Sequence, residues 1–322
     1  MSATPVSTTA SASSPSEIIR ALPNRRRRRE FVSACISTVT WLTFGIVAVV
    51  LSVVIVYVVA KGYRVVNWQF LTTSPIQIRE DQSDTVIGFG QVLRFGMWPA
   101  IVGTVLITGA AAAMALPIGI LGGVYLNEIG RDSRLARAVR FLSDVMTGVP
   151  SVVMGLFIFT VLVLRTRERT GLAGALALAC LMLPIVIRST EEMLALVPED
   201  LREASTALGA RTATTTWRVV LPTALPGIVS GALLAIVRAA GETAPLLFTI
   251  GVISATNYNL FRGQNTALSA QIFSNAQSPY PEAVARGWGA ALVLITITLM
   301  FTVLARGGTW WYRRRRYAFE VE

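Results

Sequence analysis

Long apolar segments without a charged residue dominate this sequence of 322 residues. Because the hydrocarbon core of a bilayer is ~30 Å thick, about 20 consecutive apolar residues in a helix are enough to cross it. Inside a bilayer the backbone must satisfy its own hydrogen bonds, which favours α-helices. Six windows meet this length, residues 170–187 only marginally and residues 219–261 with two charged residues inside: 31–60, 95–127, 145–164, 170–187, 219–261 and 287–305. The sequence therefore predicts an all-α, polytopic membrane protein with six transmembrane helices.

The distribution of basic residues predicts how these helices are oriented. Cytoplasmic segments of membrane proteins carry an excess of Lys and Arg. With both termini in the cytoplasm, the cytoplasmic segments hold 18 basic residues and the outer segments hold nine, while Arg188 and Arg238 lie at or within helices. The short turn at residues 165–169 would then face outward with three arginines, which is a mild conflict with the rule. We predict a multi-pass membrane protein with both termini in the cytoplasm.

This orientation divides the chain into three parts. Residues 1–30 are predicted to be a disordered cytoplasmic tail, rich in Ser, Thr, Ala and Pro and ending in an arginine cluster. Residues 31–306 are predicted to form the transmembrane domain, and residues 307–322 a cytoplasmic tail. Outside the bilayer, residues 61–94 form one outer segment, and residues 254–286 form a second that is predicted to include an interfacial or re-entrant helix.

The ionisable residues exclude several classes of function. The chain has no histidine and 28 arginines, and Lys61 is the only lysine. The absence of histidine excludes His-based acid–base catalysis and His metal sites. Lys61 does not stand in the Gly-Lys-Ser/Thr sequence of a nucleotide-binding P-loop. Cys35 and Cys180 lie in apolar windows, where a lone cysteine usually acts as a small hydrophobic residue. We therefore expect no catalytic site, no metal site, no disulfide and no nucleotide bound by this chain.

The net charge of +11 is explained by contact with the membrane. Arginine clusters at residues 25–29 and 313–316 flank the first and last apolar windows. Basic residues in such positions bind the anionic headgroups of lipids. We predict membrane lipid as a partner of both clusters, and no nucleic acid.

A spaced motif lies in residues 198–222, between the fourth and fifth windows. Pro198, with two acidic residues after it, favours the start of a short helix, and Gly209 favours its end. The residues Glu203-Ala204-Ser205, Gly209, Val219 and Leu221-Pro222 resemble, at matching spacing, the EAA-x3-G-x9-I-x-LP motif of ATP-binding-cassette importer permeases. In that family this loop is the coupling helix, which seats in a cleft of a separate ATPase subunit. The resemblance implies that ATP and Mg²⁺ bind to that partner, and that the coupling loop comprises Leu201, Glu203, Ala204, Ser205, Gly209, Leu221 and Pro222.

Two Arg/Glu pairs lie in or beside the predicted helices. A charge at the centre of a membrane costs about 2.5–3.5 kcal/mol on insertion scales, so such residues usually face a cavity, a partner or a pathway. Arg238 and Glu242 are four residues apart near the middle of the fifth helix, on one helical face, and close enough to pair. Arg188 and Glu191 form a similar pair at the cytoplasmic end of the fourth helix. Each pair is either a structural ion pair or part of a substrate pathway.

The residues around these pairs resemble one particular importer family. Residues 238–246, which read Arg-Ala-Ala-Gly-Glu-Thr-Ala-Pro-Leu, resemble a signature of the A-type membrane subunit of the phosphate-specific importer, the PstA family. Residues 148–151, 155–156 and 187–191 fit the same family, and the resemblance extends over residues 95–306. It implies a non-enzymatic permease subunit for inorganic phosphate, located in the bacterial cytoplasmic (plasma) membrane. Its implied partners are a paralogous C-type permease in a heterodimer, two ATPase subunits and an extracytoplasmic phosphate-binding protein.

Arginine suits the transport of an oxyanion. Its guanidinium stays charged and donates hydrogen bonds in a fork that matches phosphate oxygens. We therefore predict a substrate pathway that contains Arg238, Glu242, Arg188 and Glu191. Two alternatives stay open: a permease for another oxyanion such as sulfate, and a secondary anion carrier, which would not need the EAA-type loop. A small-residue stripe on the fifth helix is predicted to serve packing; it consists of Gly227, Gly231, Ala235 and Ala239.

Overall fold

The computed structural model describes residues 23–74 and 96–318, and the regular structure in these residues is helical. Most of the predicted N-terminal tail and most of the first outer segment lie outside the described residues. The helices of four or more residues, in chain order, are α1 (Pro23–Gly62), α2 (Trp68–Thr72), α3 (Trp98–Val124), α4 (Arg134–Gly148), α5 (Ser151–Ile158), α6 (Gly171–Ala195), α7 (Glu199–Ala207), α8 (Thr212–Thr215), α9 (Leu221–Gly241), α10 (Ala244–Thr249), α11 (Leu268–Ala276) and α12 (Pro281–Ala318). A single α-helical turn, Leu164–Thr166, ends the helical stretch that begins with α5.

Three of these helices continue through a π-helical turn, in which each hydrogen bond spans one residue more than in an α-helix. The turn Tyr125–Ile129 extends α3, Phe159–Val163 extends α5, and Thr216–Val220 joins α8 to α9. Such turns change which residues share a helical face. At the end of α3, this places a carboxylate against the chain that follows α6, as described below.

Five helical stretches are long and apolar enough to span a membrane, and α4 with α5 forms a sixth if the pair is counted as one broken span. The five are Arg29–Gly62, Trp98–Ile129, Gly171–Ala195, Thr212–Gly241 and Pro281–Gly308. The all-α, multi-span architecture predicted from the apolar windows is therefore confirmed for the described residues.

The third predicted span, residues 145–164, is wrong as a straight helix. The chain bends by 105° between α4 and α5, inside that window. Pro150 causes the break because proline has no N–H to donate and its ring clashes with the preceding helical turn. Proline also disfavours the helical conformation for the residue before it, and Val149 accordingly adopts an extended backbone with φ −72° and ψ 127°.

Helix α1 begins at Pro23, so residues 23–30, which end the predicted cytoplasmic tail, are helical. The part of α1 that ends at Tyr57 belongs to one compact unit of the chain. The described residues from Val58 onward form the second unit, which contains all of the sites discussed below.

Helix α6 is the centre of the second unit. In its most apolar window, 61% of the residues are buried, compared with 19% in the corresponding window of α12. It packs against α3, α4, α5, α9 and α10. The largest cluster of buried apolar side chains includes Ile107 of α3, Leu178 and Met182 of α6, and Leu246 of α10.

Small residues let the neighbouring helices approach α6 closely. A Cβ atom at Gly231 of α9 would lie 2.5 Å from the side chain of Ser189, and one at Gly123 of α3 would lie 2.6 Å from Thr190. Ala235 and Ala239 of the predicted small-residue stripe are buried. The predicted packing role of that stripe is therefore confirmed: it brings the helix that carries Arg238 against α6.

Candidate functional site

Helix α9 ends just before Glu242, and the chain starts a new helix, α10, at Ala244. Pro245 prevents the two from being continuous, because its ring would clash with the carbonyl of Gly241, four residues earlier. Glu242 has an extended backbone, with φ −68° and ψ 130°. The prediction that Glu242 lies inside a helix near its middle is therefore wrong. The predicted pairing is confirmed: Arg238 Nε lies 3.7 Å from Glu242 Oε1.

Arg238 and Glu242 line a cavity of about 220 Å³. Its other walls come from the bend between α4 and α5 and from the middle of α6. Thr147 and Ser151 of the bend line the same cavity as the two charged residues, and the Thr147 hydroxyl donates to the carbonyl of Asp144 at 2.7 Å, while Met182 adds apolar surface. The cavity therefore combines a cation, hydrogen-bonding groups and an apolar wall.

The two charged groups of the cavity are held very differently. The backbone N–H of Glu242 donates to the carbonyl of Ala239 at 3.1 Å, and its own carbonyl accepts a hydrogen bond from Ser269 Oγ at 2.9 Å. Its side chain is 20% exposed. In contrast, the Arg238 side chain is 66% exposed, and Glu242 is the only carboxylate within 4 Å of it among the described residues. Arg238 thus retains donors for another anion.

Two arginines and two carboxylates join α4 to α6 at the Arg188/Glu191 pair. Arg188 contacts Glu191 at 3.3 Å, as predicted, and donates through two nitrogens to Asp144 of α4. Glu191 also accepts from Arg140 Nε at 2.6 Å. Arg140 donates in addition to the backbone carbonyl of Leu126 at 2.9 Å, near the end of α3. Both carboxylates of this network are therefore shared or occupied, and the geometry favours a role in helix packing.

The sequence did not reveal Asp144 and Arg140 as members of this network. They lie 44 and 51 residues before Arg188 and Glu191, their respective partners. Each belongs to the amphipathic helix α4, whose charged residues are those expected of any helix at a membrane surface. Only the 105° bend after α4 brings them onto α6.

The predicted coupling loop forms the expected helix–glycine–helix element. Helix α7 starts after Pro198, and Gly209 follows it with φ +81°, a left-handed conformation that glycine adopts without steric cost. The hydroxyls of Ser205 and Thr215 lie 2.9 Å apart and join α7 to α8. The Leu208 side chain is 89% exposed beside Gly209, so an apolar surface stands open at this turn.

The motif residues of this loop divide into two groups. Leu201, Glu203, Ala204 and Gly209 are exposed on α7 and its end. Leu221 and Pro222 are half-buried where α9 begins, and Leu221 packs against the cluster around Val220 and Leu194. One group is thus available to a partner, while the other connects the loop to the helices.

Arg202 of α7 has a role that the sequence motif does not indicate. Its guanidinium is buried and contacts Glu128 at 2.9 Å and Glu199 at 3.1 Å. Burial by itself lowers the pKa of Arg202, but hydrogen bonding and charge, first from Glu128 and then from Glu199, outweigh it and raise the pKa. No local signal identifies Glu128, which lies 74 residues earlier.

The fold and the site together define a class of protein. Residues 115–316 match the family described as the inner membrane component of binding-protein-dependent transport systems. The fold resembles that of a solved inward-facing methionine ABC transporter, MetNI, with a TM-score of 0.54 and 20% identity over 67% of this chain and 94% of that one. The chain is a multi-pass membrane protein, a permease subunit of an ABC importer.

Closer relatives define the family within that class. A phosphate transport system permease protein PstA 1 of Mycobacterium tuberculosis is 43% identical over 65% of this chain and 68% of its own length. A PstA protein of Mycobacterium leprae is 38% identical over 87% of this chain and 88% of its own length. A PstA protein of Yersinia pestis is 43% identical over 66% of this chain and 71% of its own length. The chain belongs to the PstA family, which confirms the resemblance found in its sequence.

Proposed function

We propose that this chain forms half of a pathway that carries inorganic phosphate across the cytoplasmic membrane, driven by ATP that a separate subunit hydrolyses. The observation that carries the proposal is the cavity in which Arg238, mostly exposed and weakly paired, lies beside a fixed Glu242. Its relatives at 38–43% identity are named phosphate transport system permease proteins.

Arg238 is the substrate-binding group in this proposal. An oxyanion must leave water to cross, and the guanidinium offsets part of that cost with charge-assisted hydrogen bonds. Glu242 holds the guanidinium when the pathway is empty and competes with the anion when it is occupied. This competition keeps binding weak enough for release. Ser151, which lines the same cavity, supplies an additional hydrogen bond from its hydroxyl group.

Arg188 and Glu191 take a different role from the one expected on sequence grounds alone. Asp144 and Arg140 already occupy them, so an anion would have to break existing ion pairs to bind there. We assign to this network the task of holding α4 against α6 near the cytoplasmic end of the pathway. The substrate contact then falls to Arg238.

The proposed complex contains this chain, a paralogous C-type permease, two ATPase subunits and an extracytoplasmic phosphate-binding protein. The ATPase subunits bind ATP and Mg²⁺ and dock on α7, where Leu201, Leu208 and Gly209 are exposed. The loop therefore faces the cytoplasm, as do both termini with their arginine clusters. Dimerisation of the ATPases shifts the permease between its outward-open and inward-open states.

Uptake by the complete transporter in proteoliposomes tests the function. We expect radiolabelled phosphate to enter only with ATP on the ATPase side, and a tenfold excess of unlabelled sulfate to leave uptake unchanged. Equal competition by sulfate would favour a broader oxyanion permease. Uptake that persists when ATP hydrolysis is inhibited, and that collapses with the ion gradient, would contradict the proposal in favour of a secondary carrier.

Substitutions of Gly209 test the coupling loop. A valine there cannot easily adopt φ +81°, a conformation that costs L-residues about 1–2 kcal/mol, so Gly209→Val distorts the turn. We expect ATP hydrolysis to continue while uptake is lost. Gly209→Asn is the matched control, because asparagine tolerates this conformation and nothing lies within 4 Å of the added Cβ. Retained coupling in the valine variant would count against the docking assignment.

A further inference from the structure

The side chain of Arg202 lies on α7 but points away from the surface proposed for the ATPase. Its side chain is 10% exposed, whereas its sequence neighbours Leu201 and Glu203 are exposed. Its Nη2 donates to the carbonyl of Leu194 at 3.0 Å and its Nη1 to that of Val197 at 2.8 Å. These carbonyls lie at the end of α6 and just beyond it, where the helix dipole favours a cation. The carbonyl of Leu194 also accepts the backbone N–H of Val197 at 3.2 Å.

The same guanidinium binds a second transmembrane helix. Glu128 stands in the π-helical turn that ends α3, and its side chain is 6% exposed. Arg202 Nη2 lies 2.9 Å from Glu128 Oε1, and Asn127 donates to the same oxygen at 2.6 Å. The ends of α3 and α6 and the coupling helix α7 therefore meet at the buried ion pair of Arg202 and Glu128.

Burial makes this junction resistant to separation. If α7 moved away from α3, it would leave the carboxylate of Glu128 without its countercharge and with little solvent around it, which is costly. The contact with Glu199 differs, because Glu199 is on the same helix as Arg202, three residues away, and 60% exposed. Such a pair adds little stability and joins no two elements.

We infer that Arg202 is a positioning residue that makes the ends of α3 and α6 follow the movement of the coupling helix. The inference rests on the proposed function, since it requires ATPase subunits that act on α7. Its consequence reaches the substrate site, because α6 continues from Leu194 to Met182, which lines the cavity with Arg238. Arg202 would thus transmit a displacement of the coupling helix to the residues that line the cavity.

A pair of variants separates this role from simple electrostatics. Glu128→Gln and Glu199→Gln each remove one carboxylate from the same guanidinium, but only Glu128 joins α7 to another helix. The measurement is phosphate imported per ATP hydrolysed by the complete transporter in proteoliposomes, with complex yield and melting temperature recorded. We expect Glu128→Gln to lower this ratio about tenfold, in the range of typical coupling energies, and Glu199→Gln to change it less than twofold.

The inference would be overturned if an assembled Glu128→Gln transporter imported as much phosphate per ATP as the wild type. An equal loss in the Glu128→Gln and Glu199→Gln variants would also overturn it. If Glu128→Gln does not assemble, Glu128→Asp keeps the charge on a shorter side chain, and we expect an intermediate ratio; a wild-type ratio would contradict the role. Failure of both to assemble would assign the pair to folding alone. The wild-type transporter separates the two proposals, because absence of ATP-driven phosphate uptake there contradicts the proposed function itself.

Discussion

The two Arg/Glu pairs look alike along the chain but differ, once the chain is folded, in how fully the guanidinium group is engaged. Arg238 is 66% exposed, has one carboxylate at 3.7 Å and opens onto a cavity. Arg188 is 33% exposed and contacts two carboxylates, one of which is shared with Arg140. The first guanidinium has spare hydrogen-bond donors, while the second is engaged in holding α4 against α6.

The difference shows that an arginine in a membrane segment can bind another anion only when its counterion leaves some of its hydrogen-bond donors unoccupied. Glu242 is fixed by its own backbone hydrogen bonds at the break between α9 and α10, and it reaches Arg238 only loosely. At Arg188 the bend of α4 supplies a second carboxylate. The expected consequence is that one pair governs transport and the other governs stability.

The largest effect is expected from Arg238→Ala. Loss of the guanidinium removes charge-assisted hydrogen bonds to the anion, each worth about 1.5–3 kcal/mol, so uptake should fall roughly 100-fold. Complex yield and melting temperature should stay unchanged, because the residue is exposed and weakly paired. Uptake in proteoliposomes with thermal denaturation of the same preparation measures both. Normal uptake by this variant would remove Arg238 from the pathway.

Glu191→Gln should act on stability. It removes a carboxylate that is 14% exposed and shared by two arginines. We expect the unfolding free energy to drop by about 1–3 kcal/mol, less than for a fully buried pair because both arginines are partly exposed. Glu242→Gln is the matched control and should lower the melting temperature much less. Equal losses in the two variants would abolish the proposed distinction between the pairs.

Gly155→Ala tests the framework that holds the break at Glu242. A Cβ at Gly155 of α5 would lie 2.5 Å from the Cα of Pro245, so α5 and α10 must move apart. We expect a loss of about 1–2 kcal/mol in stability and a raised half-saturation concentration for phosphate. Gly148→Ala, at the other side of the bend, meets nothing within 4 Å and should be neutral. A neutral result at Gly155 would show that the bend is not rigidly packed.

Ser269→Ala should have the smallest effect. It removes the hydroxyl that donates to the backbone carbonyl of Glu242 at 2.9 Å. We expect a change of about 0.5–1.5 kcal/mol in stability and at most a small shift in the half-saturation concentration. Ser230→Ala is a suitable comparison, because that hydroxyl donates within its own helix at an exposed position. A large loss of uptake in the Ser269→Ala variant would show that transport depends on the backbone position of Glu242 as well as on its carboxylate.

Local patterns predicted much of this structure. Uncharged windows located the long helices, because burial in a bilayer needs about 20 apolar residues in succession. Pro198 and Gly209 predicted both ends of α7, because their backbone preferences act on the nearest residues. The same preference acts at Pro150 and Pro245, but their effect inside apolar windows was not anticipated, and the straight third span and the continuous fifth helix were wrong.

The sequence by itself determined the membrane class, the family and the candidate charges, since these depend on composition, spacing and local backbone preferences. Only the tertiary structure decided which charges are free. Asp144 and Arg140 reach α6 only through the bend after α4, and Glu128 reaches Arg202 across 74 residues. Whether a guanidinium can bind an anion depends on the carboxylates around it in space, and that arrangement exists only after the helices have packed.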